Sequence, residues 1–245
     1  MIEFRGRLIP ENLEELVDPK RTALLVVDVQ NDFCSEGGVW HRQGKFSPTY
    51  KQTINNIKWL LDEARKSGVL VLYSLSTHLP DFRGDTAVSL RTFFRYHGVK
   101  ETAAFEPYIV EDTWGHQFVD DVKPKPGDLV FKKTRANAFL NSYLDTILRA
   151  NAISNLVITG VLTEACVEAT AREASYRDYF SIVITDCVDS YNKEFHEMAL
   201  KYMKSRLDCA TSREVGEIWR HQLSNGQRQD IVRDVQERQG TFVTP

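Results

Sequence analysis

The chain has little cysteine, and none of it is paired. Four cysteines stand at positions 34, 166, 187 and 209 of 245 residues, with no Cys-x-x-Cys step and no close Cys/His cluster. That spacing indicates neither a zinc site nor a disulfide framework, and no motif requires a cofactor or metal. Free thiols in a reducing cytoplasm are the expectation. No apolar run approaches the roughly 18 residues that span a bilayer. The opening stretch MIEFRGRLIPENLEELVD lacks an apolar core of signal-peptide type. An excess of either charge is also missing. Lys and Arg number 31 against 34 Asp and Glu, a net charge of −3. The chain therefore offers no basic field to a nucleic acid or an anionic membrane. Internal repeats and low-complexity segments are absent.

What is present suits a single α/β domain. Hydrophobic residues make up 42% and charged residues 27%, a soluble globular mixture, and the length allows one sizeable core. We expect one domain over 1–245, with its core at about 20–224 and a polar C-terminal tail at 225–245. Strand-length apolar runs alternate with helical periodicity, the pattern of a parallel sheet covered by helices. Ala23 to Val27 is the first strand, and its continuous aliphatic character predicts burial on both faces. A helix follows, capped by Ser47 with Pro48 at its first position, an Ile54/Ile57/Leu61/Ala64 stripe, and Gly68 at its end. Val69 to Tyr73 is the second strand. The stretch from Ser76 to Asp128 reads as irregular and aromatic, with a short helix around Trp114 to Val122; a connection this long suggests a lid or a binding wall. Leu129 to Phe131, Leu156 to Thr159 and Phe180 to Ile184 are further strands. Leu140, Leu144, Ile147 and Leu148 mark one helix face, Thr163 to Asp178 a second helix, and Asn192 caps a third. A weaker strand near Leu207 to Ala210 and a helix near Arg213 to Leu223 complete the pattern.

Ligands of open α/β sheets bind beyond the carboxyl ends of the strands. Asp28 follows the first strand, Lys132 and Lys133 the third, and Cys166 the fourth. An acid, an amine and a thiol would thus share one sheet edge. Thr163 as N-cap would place Cys166 at the third helical position, where free N–H groups and the helix dipole favour a thiolate and an oxyanion. Position alone leaves Cys166 open between a nucleophile and a small buried hydrophobe. Asp28 taken alone reads first as a buried acid bonded to loop N–H groups, with a proton acceptor as the alternative. Cys34, Cys187 and Cys209 read as structural, and His78 as a satisfied loop histidine.

The segments LLVVDVQNDF, FKKTRANAF and GVLTEACVEATAREA, in this order, resemble the three signature segments of the isochorismatase-like cysteine hydrolases. The resemblance covers about residues 20 to 212. It implies a six-stranded, mainly parallel sheet in a three-layer αβα sandwich of Rossmann-like topology, and an Asp-Lys-Cys triad, here Asp28, Lys133 and Cys166. Lys133 is preferred over Lys132 because the family's lysine stands six residues before a Phe, here Phe139. The resemblance also implies a cis peptide at Val161-Leu162, with the N–H groups of Leu162 and Cys166 serving an oxyanion. Within the family, TWGHQFVDDVKPKPGDLVFKKTRANAFLNSYLDTILRA is similar to the ureidoacrylate amidohydrolases. Ala136-Asn137-Ala138-Phe139 and Ser76-Thr77-His78 depart from their pattern. Nicotinamidases of the family hold a metal with an Asp-x-His pair that this chain lacks, and isochorismatases proper lack the cysteine.

The implied activity is cysteine-dependent hydrolysis of a small amide or ureide through a thioester, with a small-molecule substrate as partner and a homo-oligomer as assembly. Biuret, carbamoyl-amide and other small-amide hydrolysis are the alternatives within the family. Gln30, Phe33, Trp114 and Asn137 are the candidate substrate-binding residues. A non-catalytic binding module of Rossmann or flavodoxin type is the rival from another class. It would need a glycine-rich phosphate turn where the chain reads Asp-Val-Gln-Asn-Asp-Phe. A redox thiol protein is a second rival, and it lacks a resolving cysteine nearby in sequence.

Overall fold

The computed structural model describes residues 1–101 and 105–223. An exposed antiparallel hairpin, β1 (Ile2–Phe4) and β2 (Arg7–Ile9), leads through helix α1 (Leu13–Leu16) into strand β3 (Thr22–Val27). Every residue of β3 is buried. Leu24 and Val26 enter one core cluster, while Ala23, Leu25 and Val27 enter the other. Successive side chains point to opposite faces, so a central strand covered on both sides has no place for polar alternation.

Helices α2 (Asn31–Cys34) and α3 (Val39–Arg42) precede α4 (Tyr50–Lys66), which buries Ile54, Ile57, Leu61 and Ala64 as the stripe predicts. The start of α4 differs from the expectation. Ser47 does not cap it. The hydroxyls of Ser47, Thr49 and Thr53 instead donate to the buried Asp189 carboxylate at 3.1, 2.8 and 3.0 Å. The Ser47 oxygen still accepts from the Thr49 N–H at 3.3 Å, but Thr49 holds the N-cap position and the helix starts two residues later than the pattern predicts.

Strand β4 (Leu70–Ser76) is followed by a helix the sequence reading missed, α5 (Ala87–His97). Thr86 caps it by accepting from the Ser89 N–H, and Gly98 ends it. The helix expected around Trp114 to Val122 is absent; a single 3₁₀ turn spans Asp120–Val122. Backbone groups there bond to the segment after β3 instead. Asn31 N–H donates to Gln117 O (2.9 Å), Asp32 N–H to Gly115 O (3.0 Å) and Val119 N–H to Val29 O (3.1 Å).

The remainder alternates regularly: β5 (Leu129–Lys133), α6 (Leu144–Ala150), β6 (Asn155–Val161), a π-helical turn (Thr163–Val167), α7 (Glu168–Tyr176), β7 (Phe180–Asp189), α8 (Lys193–Lys204), β8 (Asp208–Ala210) and α9 (Ser212–Gln222). Leu140 lies outside α6 and is exposed. The tail expected at 225–245 lies outside the described residues.

The six long-range strands pair in parallel in the order β5-β4-β3-β6-β7-β8. Helices α4 and α9 supply the core on one face; α6, α7 and α8 supply it on the other. This is the three-layer αβα arrangement. The chain runs outward from β3 in one direction, then returns to β6 and runs outward in the other, so strand order reverses between β3 and β6. Gly160 makes that junction possible. Its φ is +115°, and a Cβ there would lie 2.0 Å from the Val27 carbonyl oxygen, closer than any side chain permits.

Candidate active site

Asp28, Lys133 and Cys166 meet at this reversal. Asp28 directly follows β3 in the left-handed region, at φ +53°, a conformation that costs a non-glycine residue about 1–3 kcal/mol and clusters at functional sites. The Ser74 hydroxyl, from neighbouring β4, donates to Asp28 Oδ1 at 2.7 Å. Period-two alternation decides between the two lysines of β5. Phe131 and Lys133 are buried while Val130 and Lys132 are exposed. Lys132 pairs with Glu111 at the surface. Lys133 has no exposed side-chain surface. Its ammonium lies 2.6 Å from Asp28 Oδ2 and donates to Arg135 O at 3.0 Å and to Cys166 Sγ at 3.3 Å. Two hydrogen bonds and one ion pair surround the ammonium, the kind of compensation a buried charge requires. Burial works against its charge, but Asp28 and then Cys166 outweigh it and the Lys133 pKa is raised.

Cys166 stands in the π-helical turn after β6, beyond a cis peptide at Val161-Leu162. Thr163 is not the N-cap: Leu162 occupies that place, and Thr163 Oγ1 hydrogen-bonds His196 Nδ1 at 2.8 Å. The Leu162 carbonyl accepts from the Ala165 and Val167 N–H groups, both at 3.1 Å, which bracket the N–H of Cys166. The thiol pKa is not lowered, as a helix-start position predicts. Burial, chiefly, pushes it from 9.0 up to about 12; Lys133 pulls it down and Asp28 pushes it up again. A helix N-terminus is worth about 0.3–1 kcal/mol, less than one pH unit at about 1.36 kcal/mol each, and cannot offset that rise. The resting site therefore holds a neutral thiol beside an Asp28–Lys133 ion pair.

Above the thiol opens a cavity of about 530 Å³. Helix α5 forms much of its far wall through Val88, Ser89, Leu90, Thr92, Phe93 and Tyr96. The Tyr96 hydroxyl donates to Glu164 Oε1 at 2.9 Å, as does the Ser190 hydroxyl, which fastens α5 to the turn bearing Cys166. Of the four candidate substrate contacts, Phe33 lines the cavity. The other three do not. Gln30 is wholly buried and staples two loops. Its Nε2 donates to Ser76 O and His116 O, and its Oε1 accepts from the Ser76 N–H, each at 2.9 Å. Trp114 is half-exposed, and its carbonyl accepts from Asn31 Nδ2. Asn137 accepts from the Phe139 N–H in its own turn and faces a separate depression beside Glu168 and Arg172.

Sequence reasoning missed Trp40, Phe82, Asp85, Phe93, Tyr108 and Arg135, which line the cavity with His78. The Thr86 and Gly98 caps flanking Leu90, Phe93 and Phe94 are a helix signal that could have revealed this wall. His78, read as a loop residue, lines the cavity with its Nδ1 2.7 Å from Asp85 Oδ2. Cys34 and Cys187 are buried, and burial raises both thiols well above their ordinary value. Among the described residues, no group of three His, Cys, Asp or Glu side chains stands where it could hold a metal ion.

Residues 22–214 match the isochorismatase domain. The chain belongs to the isochorismatase family. Asp28, Lys133 and Cys166 all fall within the matched span. Among isochorismatase-family relatives, the ureidoacrylate amidohydrolase RutB of Rhizobium rhizogenes is 34% identical over 189 residues, covering 75% of this chain and 76% of its own. A cysteine hydrolase from Pseudomonas syringae shares the fold, with a TM-score of 0.70 at 22% identity over 84% of this chain and 95% of that one. The N-carbamoylsarcosine amidase of Thermoplasma acidophilum superposes with a TM-score of 0.61 at 26% identity, over 78% of this chain and 96% of that one.

Proposed function

We propose that this isochorismatase-family protein hydrolyses a small amide or ureide, with Cys166 as nucleophile. The observation that carries the reading is the contact of Lys133 with Asp28 and with Cys166, whose side chain lines the cavity. The names of the relatives, a ureidoacrylate amidohydrolase and an N-carbamoylsarcosine amidase, agree with this class of bond.

At rest a protonated thiol stands beside the Asp28–Lys133 ion pair. As Sγ attacks the amide carbonyl, its proton passes to Asp28 and the carbonyl oxygen takes the negative charge. The backbone N–H groups of Leu162 and Cys166 receive that oxyanion. Collapse of the tetrahedral adduct breaks the C–N bond, and Asp28 returns the proton to the departing amine. A water then attacks the thioester, with Asp28 again accepting a proton; the acid leaves and the thiol is restored. Lys133 remains an ammonium throughout, pairing with Asp28 at rest and balancing the thiolate as it forms. Phe33 contacts the substrate.

We place a ureidoacrylate-type ureide among the candidate substrates, with biuret-like and carbamoyl amides beside it. A cytoplasmic protein is the reading its free thiols support. A homo-oligomer is supported by the exposed apolar side chains Ile2, Phe4, Leu8 and Ile9 of the β1–β2 hairpin, and size-exclusion chromatography with light scattering tests it. The deciding experiment for the chemistry is an ammonia-release screen over ureides, carbamoyl amino acids and simple amides with Cys166→Ala in parallel. Activity confined to the intact thiol is expected. Hydrolysis at an equal rate by Cys166→Ala would overturn the proposal.

A further inference from the structure

We infer that the substrate is an uncharged amide carrying an apolar, aryl or branched body, and not a compact ureide bearing a carboxylate. This rests on the amide-hydrolase reading of Cys166 and narrows it, setting aside the carboxylate-bearing ureidoacrylate type among the candidates named above.

The charges facing the cavity cancel. Among the described residues its lining holds one carboxylate, Asp85, and one guanidinium, Arg135, 3.8 Å apart. Asp85 is further bound by His78 Nδ1 at 2.7 Å and by the Ser89 hydroxyl at 3.3 Å. Arg135 spends other donors on backbone, on Thr134 O at 2.6 Å and Gly84 O at 3.5 Å. At the floor, Asp28 and Lys133 are already matched. A substrate carboxylate entering here would lose its hydration, meet no cation free of an anionic neighbour, and lie close to Asp85. Burying a charge without a partner is strongly unfavourable.

The walls favour the opposite kind of ligand. Phe33, Trp40, Phe93 and Tyr108 form a packed aromatic cluster behind the cavity, with Phe93 half-buried and the other three buried. Phe93 stacks on Tyr108 with centroids 5.2 Å apart and planes at 21°, and Phe33 packs on Trp40 at 4.5 Å. Each of these four residues also lines the cavity. A volume of about 530 Å³ lies within the roughly 300–1,000 Å³ of pockets that take drug-sized ligands behind mainly apolar walls. A flat or branched apolar body would fill it and displace water from ring faces and edges; a small, strongly hydrated ureide would leave the aromatic wall wet.

The test compares kcat/KM for benzamide and 3-phenylpropanamide with that for 3-ureidopropionate and N-carbamoylglycine, with Cys166→Ala as control. The uncharged aryl amides should be preferred by about tenfold or more, the gain of one good aromatic contact. Thiol-dependent turnover that prefers 3-ureidopropionate would overturn the inference and leave the amide-hydrolase reading standing. Equal rates with Cys166→Ala would overturn that reading instead. A second measurement needs no turnover: protection of Cys166 from N-ethylmaleimide, read by peptide mass spectrometry. Benzamide should protect and 3-ureidopropionate should not; the reverse order refutes the inference whether or not either compound is hydrolysed.

Discussion

Replacing Asp28 by Asn tests which charge governs the Cys166 thiol. In the intact protein burial pushes that thiol up to about 12, Lys133 pulls it down, and Asp28 pushes it back up. The Lys133 ammonium lies 3.3 Å from Sγ. At an effective dielectric constant of about 20 this attraction amounts to roughly 5 kcal/mol, or about three to four pH units at about 1.36 kcal/mol each. The Asp28 carboxylate, 2.6 Å from the same ammonium, opposes it. Asp28→Asn removes the negative charge and keeps the side-chain shape. With an allowance for relaxation of the site, the thiol pKa should fall by roughly two to three pH units. The thiolate population at pH 8 then rises by about 300-fold. Because a less basic thiolate is a weaker nucleophile, with a Brønsted coefficient of about 0.4–0.5, alkylation should quicken by only about 20-fold. Amide hydrolysis should meanwhile drop by about 10²–10⁴, the usual worth of a general acid–base group. The variant would thus be more reactive toward an alkylating agent and nearly inert toward its substrate. The assay is the pH profile of Cys166 alkylation by iodoacetamide, followed by peptide mapping, beside ammonia release. An alkylation profile that stays in place or moves upward would refute the electrostatic reasoning.

Lys133→Met should act in the opposite sense. Alkylation of Cys166 slows, and stability in urea at pH 7 falls by about 3–5 kcal/mol because the Asp28 carboxylate is left buried without its cation; Asp28→Asn in the same chain should restore most of that loss. Gly160→Ala should cost at least about 3 kcal/mol or abolish soluble expression, since the added Cβ would lie 2.0 Å from Val27 O in a strained backbone region; a urea midpoint close to wild type would contradict the close approach of β3 and β6. The Glu63 carboxyl, almost fully buried, is held below the usual range by Arg220 first, against burial, and then by Lys66. A depressed folded-state pKa adds stability above the unfolded value, about 4.3, and loses it as pH falls through the folded one. Arg220→Met should therefore lower the urea midpoint at pH 7, and the gap to wild type should narrow at pH 3.

The sheet is legible in the chain because its strands are buried on both sides. Ala23–Val27 and Leu156–Thr159 are near-continuous aliphatic runs, which no exposed segment would tolerate. The candidate site is legible in part because Asp28, Lys133 and Cys166 stand at or just beyond strand ends, but position alone leaves their roles open, and the choice of Lys133 over Lys132 comes from the resemblance, by its spacing to Phe139. The cavity is not legible in the same way. Gln30 and Trp114 look like pocket residues by type and place, but Gln30 is consumed by three hydrogen bonds to residues distant in sequence, and Trp114 is turned outward by a loop bonded to the segment after β3. The helix that Ser47 marks begins two residues later, with Thr49 at its N-cap, and the Ser47 hydroxyl reaches Asp189 across the fold. The thiol of Cys166 shows the limit most directly. A local helix-start rule predicts a lowered pKa, but enclosure by surrounding elements and an adjacent carboxylate decide the outcome, and neither is a property of the Cys166 segment itself.

Lys133 sits on β5, the outermost strand at its end of the sheet, whereas Asp28 and Cys166 flank the central pair. Assembly of this side-chain cluster therefore depends on a strand that, among the described residues, pairs with β4 alone. Non-local strand pairing is slow to form because loop closure precedes any reward. A refolding chain that has paired β3 with β6 but not yet laid down β5 would hold an acid and a thiol with no cation between them. Recovery of turnover should consequently lag behind recovery of the buried central strands, which makes activity a reporter of when the sheet's last edge closes.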